Sequence, residues 1–302
     1  MDAKITKQRL GNFLSYDWLK ILIAIAAAAV ALSLFFTMVG TRPTEAQSFE
    51  VYGYFDVTTG SDFNGLSDDL DKKDAFSYEM LTVTSESFSF ENYGSTVYTA
   101  RRSAGEGTVM FLTDFVTYDE EGKLKEDSVL KSLTANALVD SDRTGGGFFD
   151  TAYFMESSRA YLARFFGEDL TAELDEKAAE ESFLARNGRD KRFLSESKKQ
   201  KGIEQEKARL IKLKADYLAV EAAFGRGALT HRIVEDENGK THSAGIGVGN
   251  LKGISNLFYY KNGEEIATAD LALVVFYNNY GKQNELRYDT LSFLSYLVEK
   301  YG

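Results

Sequence analysis

The chain has 302 residues, a formal net charge of −11 and no cysteine. The lack of cysteine excludes disulfides, thiolate metal sites, cysteine nucleophiles and the lipidated cysteine that tethers bacterial lipoproteins. The acidic charge disfavours nucleic-acid phosphates as partners, whereas a hydrophobic content of 44% suits a packed globular core.

A run of twenty uncharged residues occupies positions 21–40. At ~1.5 Å per residue, a helix of this length spans ~30 Å, which is the thickness of the hydrocarbon core of a bilayer. Tyr16 and Trp18 precede the run, where aromatic rings suit the membrane interface. The sequence therefore predicts one transmembrane helix over residues 21–40, with the lipid bilayer as a partner.

The basic residues around this run indicate its orientation. Four precede it and one follows closely: Lys4, Lys7, Arg9 and Lys20 before the run, and Arg42 after it. The positive-inside rule then places residues 1–20 in the cytoplasm. We expect a linker at 41–47 and an extracytoplasmic domain over 48–302, in a single-pass protein of the cell membrane.

A cleaved signal peptide is the alternative interpretation of the same segment. Signal peptides have an apolar core of roughly 7–15 residues and a small-x-small cleavage site. The core here is longer, and residues 41–47 (TRPTEAQ) contain no Ala-x-Ala sequence. An uncleaved anchor is therefore the preferred prediction.

The first part of the domain predicts a strand–helix–strand unit. Aromatic and β-branched residues predict a strand within 49–57, and a Gly-, Ser- and Asp-rich stretch predicts a loop at 58–74. The unit itself comprises a strand within 80–90, a helix over 95–103 and a strand over 108–113. The last strand is almost continuously apolar, which is typical of a strand buried on both faces of a parallel sheet.

Helical patterns dominate the middle of the chain, and short strands follow. The charged helical segment 150–225 contains an apolar stripe over 151–166 and a long amphipathic helix over 204–224. Its mixed charges predict solvated helix faces. Strands are then expected at 228–235, 241–248, 256–260 and 271–277, with a closing helix over 288–301. The whole pattern predicts an α/β domain.

The glycine-rich and acid-rich stretches of the sequence match known ligand-binding motifs only in part. Glycines at 245, 247 and 249 have the wrong spacing for a dinucleotide fingerprint, so we expect a glycine-containing strand. Asp140, Asp142 and Gly145 match part of a calcium loop, but its twelfth position is Thr151 rather than Glu. An ordinary acidic turn is preferred there, and a solvated loop is preferred for the acidic stretch 62–74.

His231 and His242, the only histidines, flank a predicted hairpin turn and are expected to face each other. Two histidines fall short of the three protein ligands of a catalytic zinc site, although Glu235, Asp236 or Glu237 could complete one. No serine lies in a recognised nucleophile motif. We therefore predict no metal, no cofactor and no enzymatic activity.

The stretch from Thr82 to Asp114 carries a resemblance to a known family. A strand, Ser-Glu-Ser-Phe, a short helix, Ala-Gly-Glu-Gly and the strand Thr-Val-Met-Phe-Leu-Thr-Asp resemble the first lobe of extracellular solute-binding proteins of ABC importers. Thr108 stands where that family usually has Asp. The strands at 243–248 and 271–277 and the final helix resemble the closing part of such a domain. The flanks of the anchor (SYDWLK and TRPT) are similar to those of Firmicutes surface proteins.

The resemblance implies a periplasmic-binding-protein-like fold of type II and a function outside the cytoplasm. Ligand would then lie at the carboxyl ends of the parallel strands, which points to Asp114, Asn278 and Asn279 as ligand-binding residues. The alternative is that these side chains only cap helices or form turns. The expected partners are a small solute and either an ABC transporter permease or another membrane protein.

The chain also departs from that family. It lacks the lipidated cysteine, it is shorter than most members, and the charged segment would replace much of the second lobe, leaving that lobe reduced. The alternative function is therefore a non-catalytic docking protein that has lost ligand binding and uses helix 204–224 as its partner surface.

Overall fold

The structure is a computed structural model, and it describes residues 7, 11, 18–39, 45–76, 82–89, 93–118, 124–141, 147–187 and 190–302. The chain divides into two compact units, Met1–Pro43 and Thr44–Gly302.

The first unit contains helix α1, Trp18–Val39. Residues Trp18–Phe35 of this helix have a mean hydropathy of 2.3, and none of them is buried. A core helix of a soluble domain would bury its apolar side chains, whereas Ile23 and Phe35 are 58% and 59% exposed. Among the described residues this is the one helix that is long and apolar enough to cross a bilayer.

The second unit mixes strands and helices throughout its length. In chain order its elements are β1 Ser48–Gly53, β2 Thr58–Thr59, α2 Leu66–Lys72, β3 Thr82–Ser87, α3 Gly94–Ser103, β4 Val109–Thr113, β5 Thr117–Tyr118, β6 Leu124–Glu126, α4 Val129–Thr134, β7 Leu138–Val139, β8 Phe148–Phe149, α5 Thr151–Phe166, α6 Glu176–Asn187, α7 Glu196–Gly225, β9 Thr230–Glu235, β10 Thr241–Gly247, β11 Phe258–Asn262, β12 Glu265–Ala267, β13 Leu271–Val275 and α8 Thr290–Tyr301. The α/β class predicted from the sequence is confirmed.

A six-stranded sheet in the order β3-β1-β4-β13-β10-β9 forms the centre of this unit. Strand β1 pairs in parallel with β3 and with β4. Strand β13 runs antiparallel to β4, and β10 and β9 continue with antiparallel pairing. The predicted strand–helix–strand unit is therefore present as β3-α3-β4, but the sheet is mixed rather than parallel.

Both faces of the sheet are covered. Val109 and Phe111 of β4 belong to a core that includes α5, α7 and α8, whereas Met110 and Leu112 belong to a smaller core beneath α4. Because successive side chains of a strand point to opposite faces, an uninterrupted apolar strand requires cover on both sides. The buried strand predicted at 108–113 is confirmed on this ground.

Two sequence-based predictions about local structure are wrong. The stretch 58–74 is not a simple loop, because it contains β2 and α2, with Leu66 and Leu70 fully buried. The long helix begins at Glu196 rather than Glu204, because the Ser195 hydroxyl accepts the Lys198 backbone N–H at 3.4 Å and caps it.

The charged segment 150–225 packs on the central sheet instead of standing apart as a second lobe. Phe154 and Phe165 of α5 and Leu210 and Leu213 of α7 are buried in the same core as β1 and β4. This packing places a set of charged side chains inside the unit, and those side chains form the site described next.

Candidate functional site

Asp114 lies directly after β4, at the carboxyl end of the strand. Its backbone N–H donates to the Asp270 carbonyl at 2.8 Å, and its side chain is half-buried. Burial raises the pKa of Asp114, while a hydrogen bond from Ser128 and the charge of Arg232 oppose the rise. The Asp114 carboxyl group is therefore partly shielded from solvent at one edge of the sheet.

Asn278 and Asn279 lie at the other edge. The Asn278 amide Nδ2 donates at 2.6 Å to the carbonyl of Gly107, which comes just before β4. The Asn279 side-chain oxygen accepts the Gly281 N–H at 3.0 Å and forms a local turn. Both amides therefore contact backbone groups of nearby loops.

The structure does not bring the three predicted ligand-binding residues together. Asp114 follows β4 and Asn278 follows β13, and these strands are antiparallel. Their carboxyl ends are consequently separated by the length of β4 and its flanks, roughly 20 Å at ~3.3 Å per residue. The expectation that they line one edge assumed a parallel sheet, and that assumption is wrong.

The carboxyl edge between β1 and β4 contains a residue that the sequence did not single out. Asp56 follows β1, and its Oδ2 accepts the Thr113 N–H at 2.8 Å and the Thr113 hydroxyl at 2.7 Å. Its Oδ1 is buried, and no described residue forms a hydrogen bond with it. Burial raises the pKa of Asp56 despite the hydrogen bonds from Thr113. The carboxyl group holds β4 against the segment after β1.

The two histidines do not face each other, contrary to the prediction. In the ladder between β9 and β10, His231 lies opposite Ile246 and His242 lies opposite Val234. His242 Nε2 is 3.2 Å from Asp236 Oδ2, and His231 Nδ1 is 2.9 Å from the Ser243 hydroxyl. The hydrogen-bonding partners are therefore different for the two rings.

The contact between His231 and Ser243 does not form an accessible nucleophile. Ser243 lies within β10, is only 6% exposed and also contacts the Thr151 hydroxyl at 2.9 Å. Burial lowers the pKa of His231, and its ring stacks on Phe224 with centroids 4.4 Å apart. These contacts link the hairpin of β9 and β10 to the start of α5.

The remaining motif-like patterns of the sequence have simple placements. Gly245 and Gly247 lie within β10, as predicted for a glycine-containing strand. Of the calcium-loop pattern, Asp142 and Gly145 lie outside the described residues, whereas the Asp140 carboxylate accepts a hydrogen bond from Lys240 at 3.1 Å. Within the part of the chain that the structure describes, no group of three or more His, Asp or Glu side chains is placed to hold a metal ion.

A cavity of about 420 Å³ lies between the helices of the charged segment and the start of the domain. Helices α6 and α7 form one wall, and the end of α2, the residues after it and β3 form the other. The lining combines apolar side chains with charged groups: Leu70, Phe76, Phe183 and Phe193 with Asp71, Asp74, Arg186, Arg192, Glu206, Arg209 and Lys212. Pockets of ~300–1,000 Å³ with a few polar groups are typical small-molecule sites.

A buried ionic network forms the floor of this cavity. Arg209 donates from Nε and Nη2 to the two carboxylate oxygens of Glu206 at 3.1 and 3.0 Å, and from Nη1 to Asp289 at 3.3 Å. Its Nη2 also donates to the Tyr161 hydroxyl at 2.5 Å. The side chains of Arg209, Glu206 and Asp289 are only 1–2% exposed. Arg209 is therefore fully paired.

Glu206 and Arg209 keep each other ionised. Burial opposes the charged form of Glu206, but the charges of Arg209 and Arg186 outweigh it, so the pKa of Glu206 is lowered. Burial likewise opposes the charged form of Arg209, but Glu206, Tyr161 and Asp289 together outweigh it, so the pKa of Arg209 is raised. The network provides a fixed arrangement of charges in a site of low dielectric constant.

Arg186 is incompletely paired in this network. Its Nη2 donates to Glu206, and its side chain is 3% exposed. Its Nη1 is buried and has no hydrogen-bond partner among the described residues, since the nearest carboxylate oxygen, on Glu285, is 3.7 Å away. A buried donor without a hydrogen bond costs ~1–3 kcal/mol, and the ion pair with Glu285 at 3.7 Å offsets part of that cost.

The sequence pattern did not indicate these residues, because their mixed charges predicted solvated helix faces. Glu206, Arg209 and Asp216 are 3%, 2% and 6% exposed, so that interpretation is wrong for them. They lie on the same stripe of α7 as the apolar residues Ile203, Leu210, Leu213, Tyr217 and Val220. A charged residue at a core position of an apolar helical stripe is the signal that could have identified the network.

Comparisons of the chain with protein-family models, with curated proteins and with solved structures give no match.

Proposed function

We propose that this chain is a membrane-anchored binding protein whose domain captures a small solute in the cavity between α6, α7 and β3. The single observation that carries the proposal is a cavity of about 420 Å³ whose lining combines apolar side chains with the charged groups of Arg186, Glu206 and Arg209. Apolar rings beside fixed polar groups can orient a small molecule by contact area and hydrogen bonds together.

The proposed location is the extracytoplasmic side of a cell membrane. Helix α1 is apolar on all sides and unburied, as a lipid-facing helix would be. Four basic residues before the apolar run favour a cytoplasmic amino terminus. The domain that follows would then meet solutes outside the cytoplasm.

A relation to type II solute-binding proteins of ABC importers is part of the same proposal. It is supported by the resemblance over Thr82–Asp114 and by the parallel trio β3-β1-β4, in which β1 lies between its two partners. An importer permease is the partner that this relation suggests. The proposed cavity lies among the helices of the charged segment rather than at the carboxyl ends of these strands.

A thermal-shift screen of the full chain in lipid nanodiscs tests solute capture. A ligand at 100 times its dissociation constant is expected to add ~2.7 kcal/mol of stability to the native state. For a domain of this size, each kcal/mol of added stability raises the melting temperature by ~2–4 °C. Sugars, amino acids and short peptides are the compounds to test, and no shift with any of them would contradict solute capture.

A pair of variants locates the shift in the cavity. Gln205 lines the cavity and is exposed, so Gln205→Trp would fill space without disturbing the core. Lys198 is exposed on the same helix but does not line the cavity, which makes Lys198→Trp the matched control. The ligand-induced shift should vanish in the first variant and persist in the second.

Single cysteines test the orientation, because the natural chain contains none. Ser197 is exposed near the start of α7, and Lys7 precedes the apolar run. We expect a membrane-impermeant maleimide to label Ser197→Cys in intact cells and to label Lys7→Cys only after lysis. The reverse labelling pattern would place the domain in the cytoplasm and refute the proposed location.

A further inference from the structure

The basic side chains that line the cavity between α6, α7 and β3 are balanced by carboxylates of the chain itself. Each of the four in the described lining has a carboxylate partner at an N–O distance of 3.4 Å or less: Glu206 for Arg186 and Arg209, Asp190 for Arg192, and Asp216 for Lys212. An anionic solute would have to compete with these carboxylates for the same N–H groups. At the buried Glu206, such an exchange would leave a carboxylate uncompensated inside the protein.

Two carboxylates of the lining, in contrast, have no such partner. Asp71 lies in the last turn of α2 and Asp74 follows that helix, and both are exposed. Neither side chain forms a hydrogen bond or an ion pair with a described residue. Their negative charges are therefore available to a molecule that enters the cavity from this side.

The opposite wall contributes an acceptor of its own, on Asn187 at the end of α6. This side chain lines the cavity and is 8% exposed. Its Nδ2 donates to the Phe183 carbonyl at 3.2 Å, and because a carbonyl only accepts, this contact fixes which end of the amide is the oxygen. No described residue donates to the Asn187 Oδ1. Acceptor oxygens without a donor thus lie on both walls of the cavity.

Aromatic rings provide the apolar part of the same lining. Phe183 and Phe193 pack edge to face with centroids 5.0 Å apart, and both line the cavity. They lie against the backbone of α7 at Gly202, where a Cβ would overlap the Phe183 ring and crowd the Phe193 ring. Aromatic rings accept apolar groups, and their faces also attract cations.

We propose that the solute of this cavity is an organic cation with an apolar body. Its ammonium or guanidinium group would donate to Asp71, Asp74 and the Asn187 Oδ1, while its apolar part would contact the aromatic rings. A metal ion fits less well, because no group of three or more His, Asp or Glu side chains in the described part of the chain is placed to hold one. The inference rests on the proposed function, since it names the class of solute that the cavity would capture.

Three probes of similar shape and different charge test this selectivity. Phenylbutylamine is a cation at neutral pH, phenylbutanol is uncharged and phenylbutyrate is an anion. Isothermal titration calorimetry measures the Kd of each for the full chain in zwitterionic nanodiscs, with empty nanodiscs as the blank. We expect the amine to bind about tenfold more tightly than the alcohol, and this preference should shrink in concentrated salt, which screens exposed charges.

The variant Asp71→Asn with Asp74→Asn removes both charges at nearly constant size. Asn tolerates the left-handed backbone of position 74, where φ is 48°. The amine should bind this variant about tenfold more weakly than the natural chain, whereas the Kd of the alcohol should not change. Asp68→Asn is the matched control, because Asp68 is exposed on the same helix and does not line the cavity. Thermal unfolding shows that each variant is folded.

The outcomes separate the class of solute from solute capture itself. If the alcohol or the acid bound as tightly as the amine, and Gln205→Trp abolished that binding, the cationic class would be wrong and solute capture would stand. Amine binding that survived Gln205→Trp, or that was unchanged by the double Asn variant, would also overturn the inference. If neither these probes nor any compound of the thermal-shift screen bound, solute capture would be refuted together with it.

Discussion

Replacing Arg209 with methionine is expected to lower the free energy of unfolding by about 3–5 kcal/mol, the range for breaking a buried ion pair by removing one partner. Arg209 donates to Glu206, Asp289 and Tyr161, and its side chain is 1% exposed. Its loss leaves two buried carboxylates with too few donors. Urea unfolding followed by far-UV circular dichroism measures the change.

The matched control is Arg159→Met, in a salt bridge at the surface. Arg159 lies 3.2 Å from Glu221, and the two side chains are 46% and 47% exposed. Surface pairs contribute ~0–1 kcal/mol, so this variant should unfold almost like the natural chain. If both variants lost the same small amount, the network beneath the cavity would not be a structural element.

The pH dependence of the network follows from the pKa of Glu206. This pKa is lowered in the folded state, below its ordinary value of 4.5. The stability contributed by the ionised group is therefore fully present above pH ~4.5 and is lost as the pH falls through the folded pKa. Stability curves of the natural chain and of Glu206→Gln should converge in acid, and a constant difference down to pH 3 would contradict this.

Replacing Phe111 with alanine is expected to cost about 3–5 kcal/mol, the range for emptying a phenylalanine site in a core. Phe111 lies at the centre of β4, is fully buried, and stacks on Phe258 with ring centroids 4.4 Å apart. Phe293 of α8 lies 6.4 Å away by the same measure. The cavity left behind would reach both β11 and α8, so neither neighbour can fill it by a small shift.

Thermal and urea unfolding of Phe111→Ala measure this loss. Tyr93→Ala is the control, because Tyr93 is 83% exposed and its truncation should change stability by no more than ~0.5 kcal/mol. A loss below 1 kcal/mol for Phe111→Ala would show that the two-faced core around β4 is not packed as described.

Some elements could be read from the sequence because their signals are local. Helix Thr151–Phe166 matches its predicted bounds, and the Asp150 carboxylate accepts the N–H groups of Ala152 and Tyr153 to cap it. Helix α3 and the hairpin of β9 and β10 were also predicted from local patterns of apolar, glycine and turn residues. Periodicity and turn residues act over a few positions, which a single sequence displays directly.

The direction of β13 was not available from such signals. An apolar run such as 271–277 predicts a buried strand, but parallel and antiparallel neighbours bury the same side chains. Only the pairing of Leu271 with Thr113 and of Val275 with Val109 shows that the strand runs antiparallel to β4. For this reason Asp114 and Asn278, expected at one edge, lie at opposite edges.

By itself the sequence determined the long apolar helix near the amino terminus, the acidic and cysteine-free character of the chain, and its α/β class, because these depend on composition and short-range spacing. The tertiary structure alone decided which charges are buried. Glu206 and Arg209 look like surface residues of a charged helix, and they become the floor of a cavity because α6, α8 and the sheet close around that face of α7. Burial depends on neighbours that are distant along the chain: Arg209 meets Tyr161 and Asp289 across 48 and 80 residues, a separation that local spacing does not report.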